Sequence, residues 1–307
     1  MAYIEVTDLK KSYGEVQAVK GVSFTVKKGE IFTIIGPNGA GKTTTLEMME
    51  GLISPDDGKI VIDGLTWEEN GNDIRQMIGV QPQTSALLDL LTVEENLDLF
   101  ASFFPKNRPV EEILSIVNLT DHRKKQVKKL SGGQKQRLAI GLAMISDPDI
   151  IFLDEPTTGL DPQARRNIWD IIIALKELGK TTILTTHYME EAEKLSDRVC
   201  IIDQGSIIAL DPPHTLIEKL STEREIKIVF TTLEEASQAM GIIKDTVDIQ
   251  AKQDGNAIVF TCKNVEDALY EIVRFTRNRN LKINQIAIKD YSLEDVFLSY
   301  TGKEWRD

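Results

Sequence analysis

Gly36, Pro37, Asn38, Gly39, Ala40, Gly41, Lys42 and Thr43 match the spacing G-x-x-x-x-G-K-[ST], the P-loop pattern. Such a loop turns backbone N–H groups towards one point, and the helix it opens adds the positive end of its dipole. The chemistry to expect is capture of phosphate oxygens. Lys42 can reach the outer phosphates of a nucleotide, and the hydroxyl of Thr43, followed by Thr44, can ligate Mg²⁺. A second set of chemical groups stands where an apolar run from Asp149 ends in Asp154 and Glu155. A carboxylate at the C-terminal end of a strand lies where open α/β sheets place their ligands, so Asp154 is the expected partner of Mg²⁺. Glu155 beside it is suited to polarise an attacking water as a general base. Alone, an Asp-Glu pair after a strand reads as a solvated helix cap; the P-loop upstream reverses that preference.

The segments that must hold these groups are short and punctuated. An apolar run over residues 31–35 reads as a strand entering the P-loop, and residues 44–49 suit a helix leaving it. Ile4 and Val6, then Val22, Phe24 and Val26, alternate as strands do, and residues 59–62 form another between two Asp-Gly turns. Residues 149–153, 183–186 and 199–202 are further apolar strands. Thr92 with Glu95 and Ser131 with Gln134 have capping-box spacing. The first helix carries Val93, Leu97, Phe100 and Phe104 and runs to Pro105; the second runs from 135 to 145. Strands alternating with helices imply a mostly parallel sheet flanked by helices. At Asp211, Pro212 and Pro213 the composition changes as at a linker, which divides the chain into residues 1–215 and 216–307. The second part reads β-α-β-β-α-β, a ferredoxin-like order, with a short helix capped by Thr232 and Glu235, a turn at Asp254-Gly255, a helix over 264–279, a strand over 281–288 and a last helix from Ser292.

Composition narrows the classes. The chain has 307 residues, 41% hydrophobic and 27% charged, which suits a folded protein of two domains. Acidic residues outnumber basic ones by 48 to 36, giving a net charge of −12, which argues against nucleic acid as a partner. The longest apolar run, 138–145, is far shorter than the roughly 18 residues of a spanning helix. The opening residues include Glu5 and Asp8 and lack the pattern of a signal peptide, so the expectation is a soluble intracellular protein. Cys200 and Cys262 lie in strand-like runs and read as buried, reduced thiols.

Leu130, Ser131, Gly132, Gly133 and Gln134, upstream of Asp154, resemble the signature motif of the ABC ATPases. Tyr13 stands where that family stacks an aromatic on adenine. Gln81-Pro82-Gln83 resembles its Q-loop, with Gln83 the functional glutamine and a further Mg²⁺ ligand. Gly159, Leu160 and Asp161 resemble its D-loop, with glycine where many members carry serine, and His187 resembles its switch histidine. The resemblance covers residues 1–215. It implies an α/β fold in which a mixed, mostly parallel sheet with helices is joined by an antiparallel β subdomain and a helical subdomain, followed here by the small α+β ferredoxin-like domain. It implies ATP and Mg²⁺ as cofactors and a head-to-tail dimer, with itself or a paired ATPase subunit. Ser131, Gly132, Gly133, Gln134 and Asp161 then face the nucleotide held by the other subunit. The tail Ser292-Leu-Glu-Asp-Val-Phe297 with Thr301-Gly302 looks like those of ABC-2-type exporter ATPases, including drug-resistance and sodium-efflux systems. The implied protein is a motor at the cytoplasmic face of the cell membrane, working with polytopic permease subunits, with the tail domain steadying or gating the dimer. The apolar stretch 84–91, with Leu87 and Leu88, is the expected docking surface for the membrane partner. The basic run 123–129 reads as a solvated face or as part of nucleotide-linked coupling. Soluble ABC ATPases acting in translation or DNA maintenance are the second class; they carry tandem ATPase units or long coiled-coil insertions, which this sequence lacks. A P-loop GTPase or kinase would leave the signature unexplained, and no Asn-Lys-x-Asp motif is present.

Overall fold

Apolar residues that alternate along the first strands bury one face and expose the other. In β1 (Ala2–Tyr13) Ile4, Val6 and Leu9 are buried, and the count of two is broken at Asp8, whose φ of 48° makes a bulge that returns Leu9 to the inner face. β1 pairs antiparallel with β2 (Val16–Lys27) and with β4 (Asp57–Ile62), which pairs with the short β5 (Leu65–Thr66). The computed structural model describes residues 2–84, 87–220, 224–246, 251–289 and 291–302. It divides into two compact units, the smaller running from Ile217 to Ser299 and the larger taking the residues before and after it.

The larger unit is built on a six-stranded sheet. β3 (Ile31–Ile35), β6 (Ile78–Gln81), β7 (Ile150–Asp154), β8 (Thr181–Thr186), β9 (Arg198–Asp203) and β10 (Ser206–Asp211) lie in the order β10-β9-β3-β8-β7-β6. All neighbours are parallel except β10 on β9. β3, β7 and β8 are buried at every position, because both faces of a parallel sheet are covered. Their side chains alternate between two cores. Ile31, Ile151, Leu153 and Leu184 join a helical layer of α3 (Val93–Ala101), α4 (Val110–Ile116), α5 (Gly132–Met144) and α6 (Pro162–Glu177). Phe32, Ile34, Ile150, Phe152 and Ile183 join the opposite core, with α1 (Lys42–Met49), α2 (Trp67–Met77) and the antiparallel sheet. Phe32 and Phe152 are fully buried, and truncating an aromatic so placed costs about 3–5 kcal/mol. α7 (Met189–Leu195) follows β8.

The expected linker is not one: Asp211 ends β10, and Pro213 starts α8 (Pro213–Leu220). The smaller unit has its own core. β11 (Arg224–Phe230), α9 (Leu233–Thr246), β12 (Ala251–Asp254), β13 (Ala257–Cys262), α10 (Val265–Asn278) and β14 (Ile283–Ile288) form an antiparallel sheet, ordered β12-β13-β11-β14, with two helices. That is the ferredoxin-like order, and α11 (Leu293–Thr301) follows it. Ile226, Ile228, Phe230, Ile258, Phe260 and Ile272 fill the core. The helix capped by Thr232 is longer than its sequence suggests, 14 residues. Cys200 and Cys262 are buried and outside any disulfide, and burial pushes the Cys200 thiol up to about 12.

Candidate active site

Four parallel strands end at one edge of the large sheet, and each hands its last residues to the same place. β3 leads into the P-loop, β6 into Gln83, β7 into Asp154 and Glu155, and β8 into His187. Closing the P-loop requires glycine at its end: Gly41 has φ 101°, and a Cβ there would stand 2.4 Å from the carbonyl oxygen of Ala18. Lys42 Nζ donates to the carbonyl oxygens of Gly36 at 2.9 Å and Pro37 at 3.3 Å. It lies 3.5 Å from Glu155 Oε1. Burial holds this ammonium below its ordinary pKa, against the pull of the Glu155 and Asp154 charges.

Thr43 Oγ1 is 3.5 and 3.3 Å from the two oxygens of Asp154, and the Thr185 hydroxyl also donates to Asp154. Burial raises the Asp154 carboxyl, the bond from Thr185 opposes that, and the Glu155 charge adds to the rise. Glu155 is the hub of the cluster. Its φ of 46° is left-handed, costing about 1–3 kcal/mol, and its N–H is held by the backbone and hydroxyl oxygens of Thr185 at 3.2 and 3.0 Å. Its Oε2 accepts from Thr158 Oγ1 at 3.1 Å and from Gln83 Nε2 at 3.4 Å, and faces His187 Nδ1 at 3.3 Å. His187 Nδ1 is buried and makes no directed hydrogen bond. Gln81 is fully buried and donates to Pro82 O, which leaves Gln83 as the glutamine that reaches the cluster.

This donor set fits Mg²⁺ bound with a nucleotide. Thr43 and Asp154 supply hard oxygens side by side, and no group of three or more His, Cys, Asp or Glu could hold a metal among the described residues. Mg²⁺ is held in this way, by one or two protein oxygens with phosphate and water completing the shell, rather than in an all-protein cage.

Other expected site residues are not gathered here. Tyr13 ends β1, 51% exposed, with Lys11 Nζ 5.9 Å from its ring centroid. Ser131 caps α5: its side chain accepts from Gln134 N–H at 3.3 Å while Gln134 Oε1 accepts from Ser131 N–H at 3.0 Å. Asp161 caps α6 through the N–H groups of Gln163 and Ala164. Among the described residues no hydrogen bond or ion pair joins Tyr13, Ser131, Gly132, Gly133, Gln134 or Asp161 to the P-loop. The signature turn instead rests on α6, where a Cβ on Gly133 would stand 2.8 Å from Ala164 Cβ. Thr185 and Thr158 escaped sequence reasoning: the partner of a threonine in an apolar strand shows only once the register of β7 with β8 is known, and Thr158 meets Glu155 three residues back through the conformation of the turn between them. In the expected docking stretch, Ser85 and Ala86 lie outside the described residues. Leu87 packs on the core of the helical layer, whereas Leu88 is 44% and Leu90 72% exposed. In the basic run, Arg123 is paired with Glu94 and Glu111.

Residues 19–158 match the family described as ABC transporter. The Nod factor export ATP-binding protein I of Rhizobium etli is 40% identical over 309 residues, covering 99% of this chain and 95% of the relative. The chain belongs to the ABC transporter family. The linearmycin resistance ATP-binding protein of Bacillus subtilis is 34% identical to this cassette over 310 residues, 99% of the chain and 100% of the relative. A dimeric ATP-binding cassette in a post-hydrolysis state, bound to ADP and Pi, superposes with a TM-score of 0.61 and 31% identity, over 68% of this chain and 98% of that one. The chain is an ABC ATPase, of a family whose cassettes dimerise and work with separate membrane components.

Proposed function

We propose that this ABC ATPase is the motor subunit of an ABC-2-type export complex and that Glu155 is its general base. The observation that carries the catalytic assignment is the set of groups around Glu155: Lys42, Gln83, Thr158 and His187 all approach its carboxylate at the ends of parallel strands. Lys42 and the backbone N–H groups of Gly36 and residues 38–44 bind the β- and γ-phosphates of ATP. Thr43 and Asp154, with Gln83, would hold Mg²⁺, which when bound neutralises phosphate charge and polarises the γ-phosphoryl group. Glu155 accepts the proton of the attacking water at its carboxylate, and its contacts with Gln83 and Thr158 fix where that carboxylate points. His187 Nδ1 turns to the γ-phosphate. Tyr13 stacks on adenine, while Ser131–Gln134 and Asp161 serve the nucleotide of a second subunit.

Export is supported by relatives that span the whole chain and are named for export and for resistance. No helix among the described residues is long and apolar enough to cross a membrane, so polytopic permease subunits would supply the pathway and hold the motor at the cytoplasmic face. The unit over residues 217–299 is an accessory domain that steadies the dimer. Glu155→Gln should keep ATP and Mg²⁺ binding, slow hydrolysis by about two orders of magnitude or more, and accumulate the ATP-bound dimer. Turnover close to wild type would remove Glu155 as the base. Lys42→Ala should weaken nucleotide binding itself. Export itself predicts a polytopic protein co-purifying from membranes with the cassette.

A further inference from the structure

Glu191 is a carboxyl group with no part in the chemistry above, yet it is fully buried. Burying a charge costs several kcal/mol unless its lone pairs are satisfied, and an apolar side chain would fill the same volume without that cost. Two donors from two segments converge on it. Thr157 Oγ1 donates to Oε2 at 3.1 Å and Trp169 Nε1 donates to Oε1 at 2.8 Å. Burial pushes this carboxyl up, and Thr186, Trp169, Thr157 and the Arg165 charge oppose that.

These groups are placed where the catalytic residues are anchored. Thr157 lies two residues after Glu155 in the turn that leaves β7, and Thr186 is the last residue of β8, directly before His187. Trp169 lies in α6, the helix that Asp161 caps. A second layer ties the same segments. Thr186 Oγ1 accepts from Tyr188 N–H at 3.0 Å. The Tyr188 ring lies 4.2 Å from the His187 ring and 4.1 Å from the Arg165 guanidinium of α6.

We propose that Glu191 is a positioning residue for hydrolysis: from α7, the helix that follows His187, it binds Thr157 and so fixes Glu155 against His187, and through Trp169 it ties both to α6. A misplacement of about 1 Å at a reacting group can cost on the order of 100-fold in rate. Glu191→Gln keeps the size but replaces an acceptor oxygen with a donor nitrogen, so with the remaining oxygen on Trp169 the Thr157 hydroxyl must turn from donating to accepting, which changes the geometry that holds Thr157.

The inference rests on Glu155 as the base, and a double-mutant cycle separates the two. Single-turnover ATP hydrolysis and ATP affinity are measured for the full chain, wild type and Glu155→Gln, each with and without Glu191→Gln. The expected result is a 10- to 100-fold slower rate with ATP affinity little changed, by order of magnitude for a lost alignment. In the Glu155→Gln background the same change should add little, because the group being aligned is already gone. An equal fold-loss in both backgrounds, or a lower melting temperature with an unchanged rate, makes Glu191 merely structural and overturns the proposal. If Glu155→Gln itself hydrolyses normally, the base assignment fails instead. Thr157→Val removes one donor and leaves the bond from Trp169, so it stands in should Glu191→Gln not fold; a smaller loss with the same dependence on Glu155 is expected, and no loss counts against Glu191.

Discussion

At the scale of single residues, the carboxyl groups near the end of β7 differ in how well their oxygens are satisfied, and that decides what each can do. Asp154 is bonded by Thr185 and Thr43, and Glu191 by Thr157 and Trp169, whereas Glu50, the C-cap of α1, buries Oε1 with no partner. Burial first, then the charges of Asp154 and Glu47, push Glu50 from 4.5 up to about 8. The folded chain therefore keeps this proton at pH values where the unfolded chain has released it. Stability attributable to Glu50 is greatest below 4.5, falls as pH rises, and stops falling above about 8. The slope in that window is at most about 1.4 kcal/mol per pH unit. Glu50→Gln has no proton to lose, so its melting temperature, followed against pH without nucleotide, should fall less steeply than that of the wild type across the window. An identical slope in the variant would assign the titration to another group.

At the scale of elements, the parts of the site that were legible in the sequence are those in which chemistry and periodicity coincide. β3 and β7 are mostly apolar runs that lead into the proposed site residues, and the capping boxes of α3 and α5 mark their own first turns. What the sequence hid were pairings: which threonine faces Asp154 depends on the register of β7 with β8, and which donors meet Glu191 depends on how α6 and α7 pack. α2 was hidden too, since it buries only Ile74 and is interrupted at Asn70, leaving no apolar stripe to read. Pro212 and Pro213 suggested a linker because proline breaks helices, but it also suits their first turn. The stretch 84–91 mixes two kinds of leucine, and exposure tells them apart. Leu87 packs on the helical-layer core, so Leu87→Glu should lower stability by about 2 kcal/mol or more and reduce hydrolysis with it. Leu90 is 72% exposed, so Leu90→Glu should leave melting temperature and basal hydrolysis near wild type while lowering transport in the reconstituted complex. Transport unaffected by Leu90→Glu would place the membrane partner elsewhere on the cassette.

At the scale of the whole molecule, one chain holds two helix N-termini proposed to bind phosphate, and no hydrogen bond or ion pair joins them among the described residues. The P-loop opens α1 and the signature opens α5, and the signature turn packs on α6 of its own chain while its polar groups close on each other. A complete site assembled from both therefore takes its signature from a second subunit, and a two-fold dimer makes two such sites at once. Complementation between two damaged chains tests this. Lys42→Ala removes the phosphate-binding ammonium and leaves the signature intact. Gly132→Asp leaves the P-loop intact; the position is exposed, with the nearest atom to an added Cβ, on Leu160, at 3.9 Å, so the chain should still fold. It also sets a carboxylate where the phosphate of the other subunit would dock, and like charges in that position repel. Each variant alone should hydrolyse ATP slowly. In a mixture, every heterodimer has one site with both defects and one with neither. Random pairing should then restore at most about a quarter of wild-type activity, rising with protein concentration as dimers form. Activity that stays at the sum of the two variants at every concentration would mean that each chain completes its own site.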